Sequence, residues 1–284
     1  MAGAVPVRAQ ISAKLPVIAS FSILADFARN VGGDRIEVAA LVGPDGDTHV
    51  YQPKPADAEK LSAARLILVN GLGLEGWIDR LIKASGARAP VIVATKAINP
   101  QVMREEGRIG PDPHAWQSIA NAKIYAANIR DGLIAADPAG EAAYRANAEI
   151  YLGKLDALDA EVKREIAKIP PGRRQIITTH DAFGYFGTAY GFRFIAPEGI
   201  STETEASARD VAKIIRQIKA EKIPAVFLEN VTDPRLVRSI AAESGATVGG
   251  TLYSDALSPP HGPASTYIDM MRNNVRELSA ALAN

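Results

Sequence analysis

Four histidines and no cysteine occur in this chain of 284 residues. Three of the histidines share a setting. His49 lies in DGDTHVYQP, His114 in PDPHAW and His180 in IITTHDAF. Each follows an apolar run that reads as a strand: Arg35–Val42 before His49, the Val91–Ala94 region before His114, and Gln175–Thr179 before His180. Asp255, in LYSDALS, follows a fourth such run, Thr247–Leu252. A single loop histidine is ordinarily a surface or hydrogen-bonding residue, so the argument rests on the set. Three imidazoles and one carboxylate suit a borderline-soft divalent ion at bond lengths of about 2.0–2.2 Å. Imidazole suits zinc, copper, iron and nickel, whereas an all-oxygen shell suits magnesium or calcium. The carboxylate would also offset part of the ion's charge. With no cysteine there is neither a thiolate site nor a disulfide.

The elements that would carry these residues alternate. After Leu15–Ser20, read as a strand, come a helix over Ile23–Val31, the strand Arg35–Val42, a helix over Ala56–Ala64, the strand Leu66–Val69, a helix over Trp77–Ala84 and the strand Val91–Ala94. Gly43-Pro44-Asp45-Gly46 and Asn70-Gly71 close two of the strands. Ala120–Ala136 reads as a helix broken at Asp137-Pro138. Ala139–Ile169 then continues with no proline, which at 1.5 Å per residue gives a rod of about 45 Å. Pro170-Pro171-Gly172 ends it, and the rhythm restarts: strands at Gln175–Thr179, Arg193–Ala196, Ala225–Leu228 and Thr247–Leu252, helices at Ala182–Tyr190, Ala208–Glu221, Arg235–Ser244 and Thr266–Leu282. The expectation is an α/β protein of two (β/α) lobes, each a mainly parallel sheet with flanking helices, at 14–136 and 171–284. One long rigid helix within 137–170 joins them. Ligands in open α/β sheets bind beyond the carboxyl ends of the strands, so the metal site falls in the cleft between the lobes.

Composition narrows the function. Lys+Arg and Asp+Glu balance at 32 each, which gives no reason to expect nucleic acid or an anionic membrane as partner. No apolar run approaches the roughly 18 residues of a membrane span. Residues 1–13 lack the basic start and apolar run of a complete signal peptide. Either Met1 stands where most of a signal peptide has been removed, or the segment is an ordinary terminus. Gly71-Leu72-Gly73 is not a dinucleotide fingerprint, and there is no Walker lysine, no G-x-S-x-G elbow and no HExxH. A zinc hydrolase would need an open coordination position and a placed base, for which Asp255 with Asp181 is the available pair.

Other residues have local readings. Asp181 caps the helix after it or, second, orients the His180 ring. Asp45, Asp47 and Asp112 make turns or steer cations. Trp116 and Tyr51 wall the cleft, Glu203 and Glu205 precede the helix at Ala208, and His261 in SPPHGPAS is a loop histidine near the rim.

At these residues the chain resembles a known family. DTHVYQPKPADAEKL, VNGLGLEGW, DPHAW, THDAFGYF and SDALS, in this order, are similar to the cluster A-I solute-binding proteins of bacterial ABC importers, which bind zinc or manganese. The resemblance implies two lobes on one long helix and metal ligands at His49, His114, His180 and Asp255. It implies a periplasmic, monomeric binding protein, not an enzyme, that takes one Zn²⁺ per chain to a membrane permease. Manganese members carry a carboxylate at the position of His180, so the third histidine points to zinc. Many zinc members have a long His/Asp-rich loop ahead of the second ligand. Here Gln101–Gly110, QVMREEGRIG, is short and lacks histidine, which leads to the expectation of a periplasmic metallochaperone as a further partner. Metal binding is expected to weaken below about pH 6 as free imidazoles protonate.

Overall fold

A computed structural model of the chain describes residues 13–105, 108–199, 201–203 and 206–283. The first lobe contains β1 (Leu15–Phe21), α1 (Ser22–Gly32), β2 (Ile36–Val42), α2 (Pro55–Ala63), β3 (Leu66–Val69), α3 (Ile78–Ser85), β4 (Val91–Val93), β5 (Val102–Glu105), β6 (Arg108–Pro111) and α4 (Ile119–Ala136). After α5 (Glu141–Ile166) the second lobe follows: β7 (Gln175–Ile177), α6 (Gly184–Tyr190), β8 (Arg193–Ile195), α7 (Ala208–Glu221), β9 (Ala225–Glu229), α8 (Pro234–Ser244), β10 (Thr247–Leu252) and α9 (Tyr267–Leu282). The main sheets run β2-β1-β3-β4 and β10-β9-β7-β8, and the registered pairs within each are parallel.

The sequence explains these strands. LPVIASF and LILV are almost wholly buried, as strands covered by helices on both faces must be. Helix starts are chemical as well: Ser207 and Thr266 accept the Asp210 and Asp269 amides at the heads of α7 and α9. Both sheets reverse direction of growth next to their first strand, between β1 and β3 and between β7 and β9. These switch points open crevices at the carboxyl ends of the strands, and the two crevices face one another.

α5 is shorter than the sequence suggests, because Pro138–Gly140 forms a separate 3-10 turn and the helix stops at Ile166. Its 26 residues span about 39 Å. Tyr144, Ala148, Tyr151, Leu155, Leu158, Val162 and Ile166 form one buried stripe at three- and four-residue spacing. The stripe packs on α1 and α4 of the first lobe and α9 of the second. One continuous apolar cluster consequently runs through both lobes and the helix, and a smaller one lies under α7 and α8.

The segment read as a short loop at Gln101–Gly110 contains an antiparallel hairpin, with Val102 opposite Pro111 and Arg104 opposite Ile109. Val102 and Ile109 are exposed. With four residues per strand and Val102 and Ile109 exposed, the pair offers a sequence reading little alternation to detect.

Candidate metal centre

His49 is carried on the loop after β2, His114 on the loop after β6, His180 on the loop after β7 and Asp255 on the loop after β10. The four side chains converge, with one ligand atom from each lying within 4.8 Å of all the others. His49 Nε2 is 3.1 Å from His114 Nε2 and 3.2 Å from Asp255 Oδ2. His180 Nε2 is 3.1 Å from Asp255 Oδ2, and His114 Nε2 is 3.7 Å from Asp255 Oδ1. A tetrahedral ion with bonds of about 2.0–2.1 Å separates its ligand atoms by about 3.3–3.4 Å. The rings are tilted 53°, 82° and 65° to one another, so they fan about a point instead of stacking. His261 is exposed and stands outside this group.

Each lobe fixes one imidazole from behind. Asp112 Oδ1 lies 2.8 Å from His114 Nδ1 and also accepts the His114 amide at 2.9 Å. Glu229, at the end of β9, lies 2.6 Å from His180 Nδ1. Its other oxygen accepts the Thr179 and His180 amides at 2.7 and 3.0 Å. At His114 the Asp112 hydrogen bond keeps the proton on Nδ1 and turns a bare Nε2 lone pair toward the centre, and at His180 the Glu229 carboxylate favours the same tautomer by its charge, facing Nδ1 without a hydrogen bond. Lone pairs of His114 and His180 then face the Asp255 carboxylate, and Asp255 Oδ1 has no hydrogen-bond partner. Acceptors aimed at acceptors in a buried site require a cation or protons between them.

The ionisation pattern follows. Burial works against a charged His180, but Glu229 and Asp255 outweigh it and hold the ring well above the ordinary value of 6.5. Burial likewise opposes a charge on His114, and Asp255 and Asp112 raise it. Burial would lift Asp255, but the facing His180 and His114 hold it well below the usual carboxylate range.

Two further supports come from the VNGLGLEGW stretch. Gly71 and Gly73 take φ of +83° and +86°, with Leu72 at +57° between them, so the turn curls around its own Glu75. Glu75 accepts the Asn70 and Gly71 amides and the Ser20 hydroxyl. Asn70 Nδ2 in turn donates to the Pro113 carbonyl, next to His114. Trp77 Nε1 donates to the Thr48 carbonyl and so holds the His49 loop. His114, His180 and Asp255 are fully buried, whereas His49 is 7% exposed. A cavity of about 330 Å³ reaches His49 between Leu72, Leu74, Pro113 and Glu203.

Several local readings change. Asp181 does not cap α6, whose cap position is Phe183, without a side-chain bond. Nor does it orient His180, a task that falls to Glu229; burial, with Asp112 nearby, pushes Asp181 up to about 6. Asp112 makes its turn by accepting the His114 amide, and it is also fully buried against a ring nitrogen of His114. Asp47 makes its turn by accepting the His49 amide, and it also accepts the Thr202 hydroxyl across the cleft. Trp116 packs edge-on against His114, 5.3 Å between centroids, while Tyr51 packs on Trp77 and donates to Asp57. Ser207 caps α7; Glu203 is exposed at the cavity mouth, and Glu205 lies outside the described residues. The residue that sequence reasoning missed is Glu229. Its signal was a carboxylate ending the buried run AVFLE.

Known metal-binding proteins resemble this chain. The profile of the family described as zinc-uptake complex component A, periplasmic (ZnuA), matches residues 17–281. The iron-binding protein YfeA of Yersinia pestis is 37% identical over 263 residues, 92% of this chain and 84% of that protein. The manganese-binding lipoprotein MntA of Bacillus subtilis is 36% identical over 277 residues, covering 95% and 90%. Among solved structures, the periplasmic zinc-binding protein TroA from Treponema pallidum superposes with a TM-score of 0.91 at 30% identity, over 96% of this chain and 100% of that one. The manganese-bound periplasmic metal-binding protein from Candidatus Liberibacter asiaticus gives 0.85 at 34% identity, over 94% and 99%. The chain belongs to the ZnuA (cluster A-I) family of periplasmic metal-binding proteins that serve ABC importers.

Proposed function

We propose that the chain captures one Zn²⁺ with His49, His114, His180 and Asp255 and releases it to the permease of an ABC importer. In this reading residues 14–136 and 171–284 are the metal-binding lobes of a monomer, and 137–170 link them. The observation that carries the choice of zinc is the third imidazole, His180, pressed from behind by Glu229. Three nitrogens favour zinc over manganese along the Irving–Williams series. The TroA neighbour is titled a zinc-binding protein, whereas YfeA and MntA are named for iron and manganese. Four protein ligands also fill a tetrahedral shell, leaving no position for the activated water of a hydrolase.

The direct test is metal content by mass spectrometry after purification from medium holding equal zinc and manganese. One zinc per chain is expected. Mostly manganese would move the chain to the manganese-binding reading, and no bound metal would end both.

Protons compete with the metal, since each imidazole must be neutral to bind. His114 and His180 are held above 6.5 in the metal-free protein, so affinity should already be falling as pH drops toward 6.5. This onset lies above the pH of about 6 that free imidazoles suggest. A zinc affinity that stays flat from about pH 8 down to pH 6 would contradict it.

A further inference from the structure

Asp255 follows a strand of the second lobe, yet the residue before it is gripped by the first. The Ser254 carbonyl accepts Trp116 Nε1–H and Gln117 Nε2–H, each at 2.8 Å. Both donors sit in the 3-10 turn Ala115–Gln117, directly after His114, and both are fully buried. The Tyr267 hydroxyl donates to the Trp116 carbonyl at 2.7 Å and braces the turn. Two residues past Asp255, the Leu257 amide donates to Ser22 Oγ at 2.9 Å, and its carbonyl accepts the Asp45 amide at 2.9 Å. Asn230 supplies the ties from its own lobe, accepting the Ser254 amide at 3.3 Å and donating to the Ala256 carbonyl at 3.2 Å.

Gln117 is the telling residue. Its Nε2 is used, but its Oε1 is buried without a partner. An amide with an orphaned carbonyl is a poor choice for filling space, since an apolar side chain of similar volume carries no such penalty. The N–H therefore has a use beyond packing. A peptide unit is planar, so two donors on the Ser254 carbonyl set the orientation of the whole Ser254–Asp255 amide.

We propose that Trp116 and Gln117 are positioning residues for Asp255: from the His114 turn they clamp the Ser254 carbonyl and hold the Asp255 carboxylate in register with the three imidazoles across the seam between the lobes. The proposal rests on the four-ligand reading above. It means that His114 and Asp255 are placed as one unit although 141 positions separate them.

A double-mutant cycle tests this. Gln117→Met removes the donor at similar volume. Zinc affinity, measured by competition with a chromophoric chelator, should fall about 10–100-fold, the range for partners standing behind a metal ligand. In an Asp255→Ala background the same substitution should change affinity by less than about twofold, because the group it positions is gone. Trp116→Phe, which keeps the Gln117 donor, should show the same dependence on Asp255 and serves if Gln117→Met does not fold. No loss in the unaltered chain, or equal losses in both backgrounds, would overturn the inference. If Asp255→Ala by itself left zinc affinity unchanged, the four-ligand reading would be what failed.

Discussion

His180→Ala should lower zinc affinity on the order of a thousandfold, equivalent to about 4 kcal/mol. The ring supplies one of four donors and is fully buried, so no solvent reaches the vacated position without rearrangement. Glu229 loses the imidazole it faces at 2.6 Å and keeps only the two backbone amides on its other oxygen. A buried carboxylate with fewer partners costs stability as well as binding. Isothermal titration with zinc, paired with a melting curve, separates the two effects. His261→Ala is the matched control, because that ring is exposed and outside the cluster, and it should bind zinc like the unaltered chain. Zinc binding by His180→Ala at undiminished affinity would remove His180 from the site.

Metal loading should give the next largest effect, this time on stability. A ligand present at about a thousand times its dissociation constant adds about 4 kcal/mol to the folded state. For a chain of this size that raises the thermal midpoint by about 10 °C. The ion acts where acceptors otherwise face one another, at His114, His180 and Asp255. In the metal-free protein protons on the two imidazoles do part of that work. Because burial is outweighed by the carboxylates, both rings have folded values raised above 6.5. Their contribution is complete below the ordinary value of 6.5 and is lost as pH rises through the raised values. The metal-free midpoint should therefore decline above pH 6.5. The gain on adding zinc should widen over the same interval. Calorimetry with zinc and with manganese at several pH values measures this. A larger gain with manganese, or a zinc effect that shrinks as pH rises, would count against the proposed site.

The ends of the strands were legible without coordinates. Alternating apolar runs and amphipathic stretches dictate two parallel sheets, and parallel sheets present ligands at their carboxyl ends. Scarce histidines at those ends, with Asp255, marked the candidate centre because a residue's place on its own strand is a local property. The same local chemistry made the turn aspartates visible as turn formers. Tertiary structure alone decided which carboxylate faces which ring. Glu229 reaches His180 only because β9 lies beside β7 at the switch point of the second sheet, and sequence carries no signal for that neighbour. Asp181, adjacent in the chain to His180, is carried away from it by a bend at Thr179–Asp181, where the Ala182 amide donates to the His180 carbonyl. The pairing of β5 with β6 was hidden by strands of only four residues each. The tie from Trp116 and Gln117 to Ser254 was hidden too, since it joins segments from both lobes and exists only once α5 and the shared core have brought those lobes together. Periodicity and residue type thus determined the elements and the candidate donors. The orientation and protonation of those donors depend on contacts between distant segments, which only the packed chain creates.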